Sequence, residues 1–400
     1  MKKYICFFLV LILGFMPVAC KKIDKSRDNE VVVLVENNKI PIMDNLNKIL
    51  DKFKESNSEV NLQIITKDNI KDAISNKELS PDILITTRSS FIEIFKENEL
   101  QAIDEIIKEE KYNENFYNIN TSSGRLQDKY YGIGAFPYTI DFLYNPKALE
   151  KLNIKTPENS TEMLNLLKTL GDKNIKIPYI LPEEISLELA LSSYIANFLL
   201  VSSQLKDIYG DSEEDYKKLE SMHQMFSIMN SIVSSKQFNL SNFYEGSEHK
   251  IEELENGEIP ILIGTSFLSK NIKKVNSIKT ISNINLTENT MFSPVGLGAM
   301  ISIYTEGKNK DSSRKLFGYL VKEDIYSDLS KEGIIVANKN LDMSLEGVRG
   351  AMAKNIVNAN ENNVFYFYNI PKKYLSNLKE KLKEVMNGKY DGNEWNDIIK

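Results

Sequence analysis

The clearest pattern along the chain starts at residue 31, where 31–35 is a continuous β-branched run of the kind a buried parallel strand requires. Positions 43–53 then change period, with Leu46, Ile49, Leu50 and Phe53 on one helical face. A second strand follows at 60–65, a helix at 68–76 and a third strand at 83–85. Strands alternating with helices predict right-handed crossovers onto a mostly parallel sheet with helices on both faces. The long uncharged stretch 132–140 fits a buried or crossing strand better than a surface loop. Beyond residue 160 the pattern is helical up to about 256, through 185–201, 215–233 and 250–256. In the second of these Met222, Met225, Phe226 and Met229 recur at helical spacing and read as core packing. Tyr374, Leu378, Leu382 and Val385 mark an amphipathic helix between Pro371 and Gly388.

The first thirty residues follow other rules. Lys2 and Lys3 precede an apolar run over 4–18, then Ala19 and Cys20, which are the three parts of a secretory signal. A permanent span would need about 20 apolar residues, and this run ends at Pro17 and the charged stretch 21–30. Pro17-Val18-Ala19-Cys20 resembles the bacterial lipobox, in which the chain is cut before a lipid-bearing cysteine; Pro17 stands where that motif usually has Leu. The reading is a lipoprotein signal peptide over 1–19, lipidation of Cys20 and a tether over 20–30, with the protein anchored to the cell membrane and facing the periplasm or the outside. Cys6 leaves with the signal, so Cys20 is the one remaining thiol and no internal disulfide can form. An acylated Cys20 also rules out a thiol nucleophile, and a cysteine-rich zinc site has no ligands.

About 380 mature residues exceed the usual size of one domain, so two lobes are expected. Loss of Lys2 and Lys3 takes the formal net charge from -6 to -8, and a balance this acidic argues against nucleic acid as a partner. In open α/β sheets the ligand crevice lies beyond the C-terminal ends of the strands. Two such exits are polar here, Glu36-Asn37-Asn38 after the first strand and Thr86-Thr87-Arg88-Ser89-Ser90 after the third. Ser89 or Ser90 as a plain helix cap, and Glu36 as a solvated loop charge, are the competing readings.

Tyr131-Gly132-Ile133-Gly134-Ala135-Phe136-Pro137 leads into Leu143-Tyr144-Asn145-Pro146-Lys147-Ala148-Leu149-Glu150-Lys151-Leu152-Asn153-Ile154 and Thr156-Pro157. This run resembles the family-1 extracellular solute-binding proteins of ABC importers, whose pattern is "YGIP … LYYNKDLFEKAGL … P-TWDE". Pro81-Asp82-Ile83-Leu84, the stretch from Leu254-Glu255-Asn256-Gly257 to Gly264-Thr265, and Pro294-Val295-Gly296 are similar to further landmarks in the same order. The resemblance implies a two-lobed periplasmic-binding-protein-like fold of type II, with a ligand held between lobes that close like a hinge. It places chain crossings near 138–141, 278–286 and 307–310. The N-terminal lobe would then be 31–138 plus 283–309, and the C-terminal lobe 142–279 plus 311–400.

It also implies the function: an extracytoplasmic substrate-binding protein that captures a small solute, a carbohydrate first, and hands it to permease and ATPase subunits. Matching positions point to Glu36, Asn37, Thr86, Arg88, Phe136, Tyr138, Asp141, Ser266, Phe267, Tyr366 and Tyr368 as ligand contacts. Sugar-binding members place Trp there, but this chain has only Trp395, so stacking would fall to Tyr and Phe. Carboxylates at Glu36 and Asp141 would serve a cationic amine equally, which keeps a polyamine receptor open beside the sugar reading. Glu183 and Glu184 after Pro182 could flank the cleft or favour a helix N-terminus. A monomer is expected, without cofactor, metal or catalytic residues. His223 and His249 stand in no metal-type motif and no serine lies in a G-x-S-x-G elbow. A glycoside-active enzyme is therefore the lesser alternative, and an orphan sensor or adhesive lipoprotein of the same fold is the third.

Overall fold

The computed structural model describes residues 30–37, 42–77, 79–236, 238–281, 284–285, 290–291 and 293–400. The leader, Cys20 and nearly all of the tether lie outside the described residues, as does part of the expected crossing at 278–286. Among the described residues no helix is long and apolar enough to cross a membrane.

The first lobe is built as its periodicity predicts. Strand β1 (Glu30–Glu36), helix α1 (Met43–Ser56), β2 (Asn61–Lys67), α2 (Ile70–Ser75), β3 (Ile83–Thr86) and α3 (Arg88–Lys96) follow in order. Both β2 and β3 pair with β1 in parallel. Alternation sends Val31, Val33, Val35, Ile83 and Ile85 to one face, where Leu46, Leu50 and Phe53 of α1 cover them. Each such side chain, fully buried, contributes roughly 1.5–3 kcal/mol. Asp82, buried at the start of β3, accepts from Val32 N at 2.8 Å and from Asn309 N at 3.0 Å, tying two strands to a distant turn.

The centre of the sheet is one long strand, β4 (Ile133–Tyr144), buried at every position. Its remaining partners are β5 (Ile177–Ile180), β6 (Phe243–Glu245), β7 (Ile261–Thr265), β8 (Lys279–Ile281) and β9 (Val295–Ile303). The order is β2-β1-β3-β9-β4-β7-β5-β6, with β8 also on β4. Residues up to Thr139 pair antiparallel with β9, and those from Ile140 onward pair antiparallel with β7. The sheet is therefore parallel at both ends, where helical crossovers connect strands, and antiparallel in the middle, where the chain passes between lobes.

The second lobe carries α4 (Leu187–Phe198), α5 (Val201–Asp207) and α6 (Glu220–Ser234), then, near the C-terminus, α7 (Gly347–Val357) and α8 (Lys372–Met386). Met222, Met225, Phe226 and Met229 are buried where α6 meets α4 and α8. Ser186 caps α4, so Glu183 and Glu184 lie in the turn before the cap and not in its first turn. Trp395 is fully buried and its Nε1 donates to Tyr216 O at 2.6 Å, pinning the tail. One boundary moves. The helix Lys310–Leu320 packs Leu316, Phe317 and Leu320 into the valine-rich core under β1, and Leu329, Ile334 and Val336 join them. Residues 310–336 thus stay with the first lobe, where the sequence reading gave 311–400 to the second.

Candidate functional site

At the exit of β1, Glu36 is 3 % exposed and already occupied. Its Oε2 accepts from Thr87 N at 2.8 Å and Thr87 Oγ1 at 2.9 Å, and its Oε1 accepts from Ser90 Oγ at 2.7 Å. The carboxylate lies against the N-terminal end of α3, where the helix dipole and free N–H groups favour it. That corrects the expectation of a ligand-gripping Glu36. Thr87, rather than Ser89 or Ser90, is the cap, accepting from Ser90 N. Asn37 is exposed and donates to Asp68 Oδ1 at 2.5 Å.

The two lobes touch along α3, at its N-terminal end through Ser89 and Ser90 and at its last residue through Lys96. Lys372 from α8 reaches Glu36 Oε1 at 3.3 Å and Ser90 Oγ at 2.7 Å, Ser89 Oγ donates to Tyr368 O at 3.4 Å, and Lys96 Nζ donates to Tyr209 O. Behind these contacts an aromatic cluster fills the space between lobes. Tyr138 lies 4.3 Å from Phe267 and 5.9 Å from Phe365, whose ring stacks on Phe367 at 5.0 Å; Tyr368 completes the group. Burial pushes the Tyr138 and Tyr368 hydroxyls well above the ordinary tyrosine range. Tyr366 turns into the second lobe, its hydroxyl 3.0 Å from Ser192 Oγ. So the structure brings Tyr138, Phe267 and Tyr368 together in one packed aromatic cluster, while Tyr366 joins it only through the Phe367 ring, 5.7 Å away.

Gly296 makes room for this cluster, since a Cβ there would meet the Tyr138 ring at 2.3 Å and the Phe365 ring at 2.6 Å. Gly296→Ala should cost about 1–3 kcal/mol through overpacking, read as a lowered midpoint in urea denaturation at unchanged slope. An unchanged midpoint would show that the rings have free space to withdraw into.

Phe136 is a correction. Strand alternation puts it on the Tyr138 face, towards the cleft, but its backbone is left-handed at φ 49°, and the side chain swings into the first-lobe core against Tyr326, ring centres 5.6 Å apart. Asp141 is another. It is fully buried and accepts from Thr139 Oγ1 at 2.5 Å, Asn355 Nδ2 at 2.8 Å, Ser293 Oγ at 3.1 Å and Thr280 Oγ1 at 3.3 Å. These donors come from β4, α7, the segment before β9, and β8. Asp141 binds the crossing strands together and leaves nothing for a solute. Ser266 likewise serves the backbone, its Oγ accepting from Thr139 N at 3.1 Å.

A groove of about 430 Å³ that no motif announced opens to solvent between the lobes. Asn118 and Ser122 from the short helix Asn118–Ser122, and Arg125, Gln127 and Asp128 from the following hairpin, form one wall; Lys206 of α5, Asn360 and Glu361 form the other. The segment carrying the first wall, Thr121-Ser122-Ser123-Gly124-Arg125, sits directly before the recognised Tyr131 motif, and its polarity was the available signal. Inward, a niche of about 10 Å³ shares Ser122, Lys206 and Glu361 with the groove and is floored by Arg88, Ser202, Val364 and Asn369. Arg88 is 5 % exposed, and desolvation lowers its pKa to about 10, which leaves it charged at neutral pH. Thr86 beneath it is buried with its Oγ1 unpartnered among the described residues. The described residues contain no group of three His, Cys, Asp or Glu placed to hold a metal ion.

No family model and no curated protein matches this sequence. Solved structures do. A probable secreted solute-binding lipoprotein from Streptomyces coelicolor superposes with a TM-score of 0.70 at 10 % identity, over 94 % of this chain and 98 % of its own. An ABC transporter solute-binding protein from Thermotoga lettingae, bound with α-D-tagatose, gives 0.65 at 13 % identity, over 93 % and 97 %. A family 1 extracellular solute-binding protein from Bifidobacterium longum subsp. infantis gives 0.64 at 14 %, over 92 % and 97 %. The chain has the two-lobed fold of the family 1 solute-binding proteins, over 92–94 % of its length in these superpositions.

Proposed function

We propose that the chain is the extracytoplasmic solute-binding component of an ABC importer. It takes a small carbohydrate between its lobes and presents it to permease and ATPase subunits when the lobes close. The observation that carries this reading is the polar groove of about 430 Å³ whose walls come one from each lobe, in a fold whose solved relatives include a tagatose-bound protein. Amide and charged groups such as Asn118, Gln127, Asp128 and Asn360 can exchange hydrogen bonds with sugar hydroxyls. A polyamine receptor is less well supported, because Glu36 and Asp141, the carboxylates it would use, are consumed inside the protein. Export with a lipid on Cys20 completes the proposal, since a monomeric receptor tethered at the membrane stays beside its permease.

A thermal-shift screen of the mature protein tests it. At least one mono- or oligosaccharide should raise the melting temperature by several degrees at saturating concentration, and should be recovered chemically unchanged. Stabilisation by polyamines or amino acids but by no carbohydrate would overturn the sugar reading, and hydrolysis of a glycoside would overturn the binding-only one.

A further inference from the structure

The niche at the inner end of the groove contains three buried polar atoms without hydrogen-bond partners among the described residues: Arg88 Nη1, Ser122 Oγ and Asn369 Oδ1. They come from α3 and the helix Asn118–Ser122 in the first lobe, and from the aromatic segment of the second. A lone buried atom of this kind can be local imperfection. Three that border one small space, fed from both lobes, define a place where polar atoms from outside belong.

The charges around that space decide what kind. Arg125 pairs with Asp128 at 3.1 Å and Lys206 with Glu361 at 2.8 Å, both along the groove. Among the described residues Arg88 alone of these has no carboxylate in ion-pair contact; Glu361 reaches it only as a longer-range charge, and the Phe91 ring lies 5.4 Å from the guanidinium carbon. Groove and niche together hold three cations against two carboxylates, inside a protein of formal net charge -6. A guanidinium taken out of water without an anion is costly, and a bidentate carboxylate is the partner its fork fits best.

We infer that the solute is an acidic carbohydrate whose carboxylate enters the niche and pairs with Arg88, while its neutral hydroxyls lie along the groove. This rests on the carbohydrate reading above and narrows it. In the present approach of the lobes the niche has room for about one water molecule. Entry therefore requires the partly exposed Lys206–Glu361 pair to swing aside or the lobes to part, and an ion pair so exposed opposes this weakly. Ser122 Oγ would donate to the arriving carboxylate. Asn369, whose Nδ2 is held by Ser202 O at 2.9 Å, presents its oxygen to a neighbouring hydroxyl of the sugar.

Isothermal titration of the full mature chain with matched pairs tests the inference: galacturonate against galactose, glucuronate against glucose, and digalacturonate against its methyl ester. The expected result is at least tenfold tighter binding of the acid in at least one pair, with Arg88→Gln bringing acid and neutral forms to similar affinity. The ester arm uses unaltered protein, so the question is answered even where Arg88→Gln does not fold. Neutral sugar or ester binding as tightly as the acid would overturn the inference, assign the niche to an ordered water and leave the carbohydrate reading standing. Silence from every sugar, acidic and neutral, in a protein that is folded would instead remove the carbohydrate reading and this inference with it.

Discussion

Asp141→Ala should lower the melting temperature by about 5 °C, the largest effect expected of any single substitution near the cleft. The carboxylate gathers four neutral donors in a site without solvent, and no cation is among them. Desolvation pushes its pKa up while those four bonds pull it down, and desolvation is the larger influence. Alanine leaves Thr139, Thr280, Ser293 and Asn355 with buried donors and no acceptor, a loss of roughly 3–5 kcal/mol by analogy with other broken buried networks. In a chain of this size, at about 2.1 cal/mol/K of unfolding entropy per residue, each kcal/mol moves the midpoint by roughly 1–1.5 °C. Asp141→Asn keeps one acceptor oxygen and should lose less than half as much. Melting followed by circular dichroism decides the matter: an alanine variant within 2 °C of the parent would mean that the four donors find other partners at no cost.

The second large effect concerns pH. Asp342 lies where the chain leaves the first lobe, its Oδ1 accepting from Val336 N at 3.1 Å, and burial raises its pKa to about 6 against an ordinary 3.8. A raised carboxyl pKa means that the folded protein holds a proton the unfolded chain has released. The stabilisation is present below about pH 4 and is lost as pH rises through 6, amounting to on the order of 3 kcal/mol between the two limits. Asp141, also raised, acts in the same direction. The exposed carboxylates of Glu59, Glu213, Asp328 and Asp397 are lowered by their lysine partners, so their opposing influence falls at more acid pH. Asp342→Asn retains the acceptor for Val336 and removes the charge. Urea titrations at pH 4, 5, 6 and 7 should find the variant more stable than the parent at pH 7, with the difference shrinking steadily towards pH 4. A difference that stays constant over the series would dismiss Asp342 as the source.

Much of the fold was legible because it depends on local period. The valine run of β1, the helical face of α1 and the methionine stripe of α6 each bury what their spacing promised, and the uncharged stretch at 132–140 became the central strand. What escaped depends on contacts far apart in the chain or on a single backbone angle. Nothing in the sequence near Phe136 signals a left-handed residue inside a strand, and that angle alone reverses which side of the sheet the ring occupies. Glu36 is engaged partly by Lys372, 336 positions away, so its neighbourhood could not reveal that its lone pairs were taken. Arg88 was picked out as a loop residue beside a polar strand exit. That no described carboxylate pairs with it is a property of how Ser122, Lys206 and Asn369 surround it. The groove walls were missed for the same reason, being drawn from a short helix and a hairpin instead of strand ends.

Strand β4 gives Ile133–Thr139 to one half of the sheet and Ile140–Tyr144 to the other, and β9 meets only the first of these. Neither lobe is therefore a transferable cassette. Excising one would leave half of its middle strand behind and expose an unpaired sheet edge in both fragments, a template for aggregation. Grafting the binding face of a relative onto this scaffold would have to proceed by exchanging groove residues one wall at a time, with the shared strand left untouched.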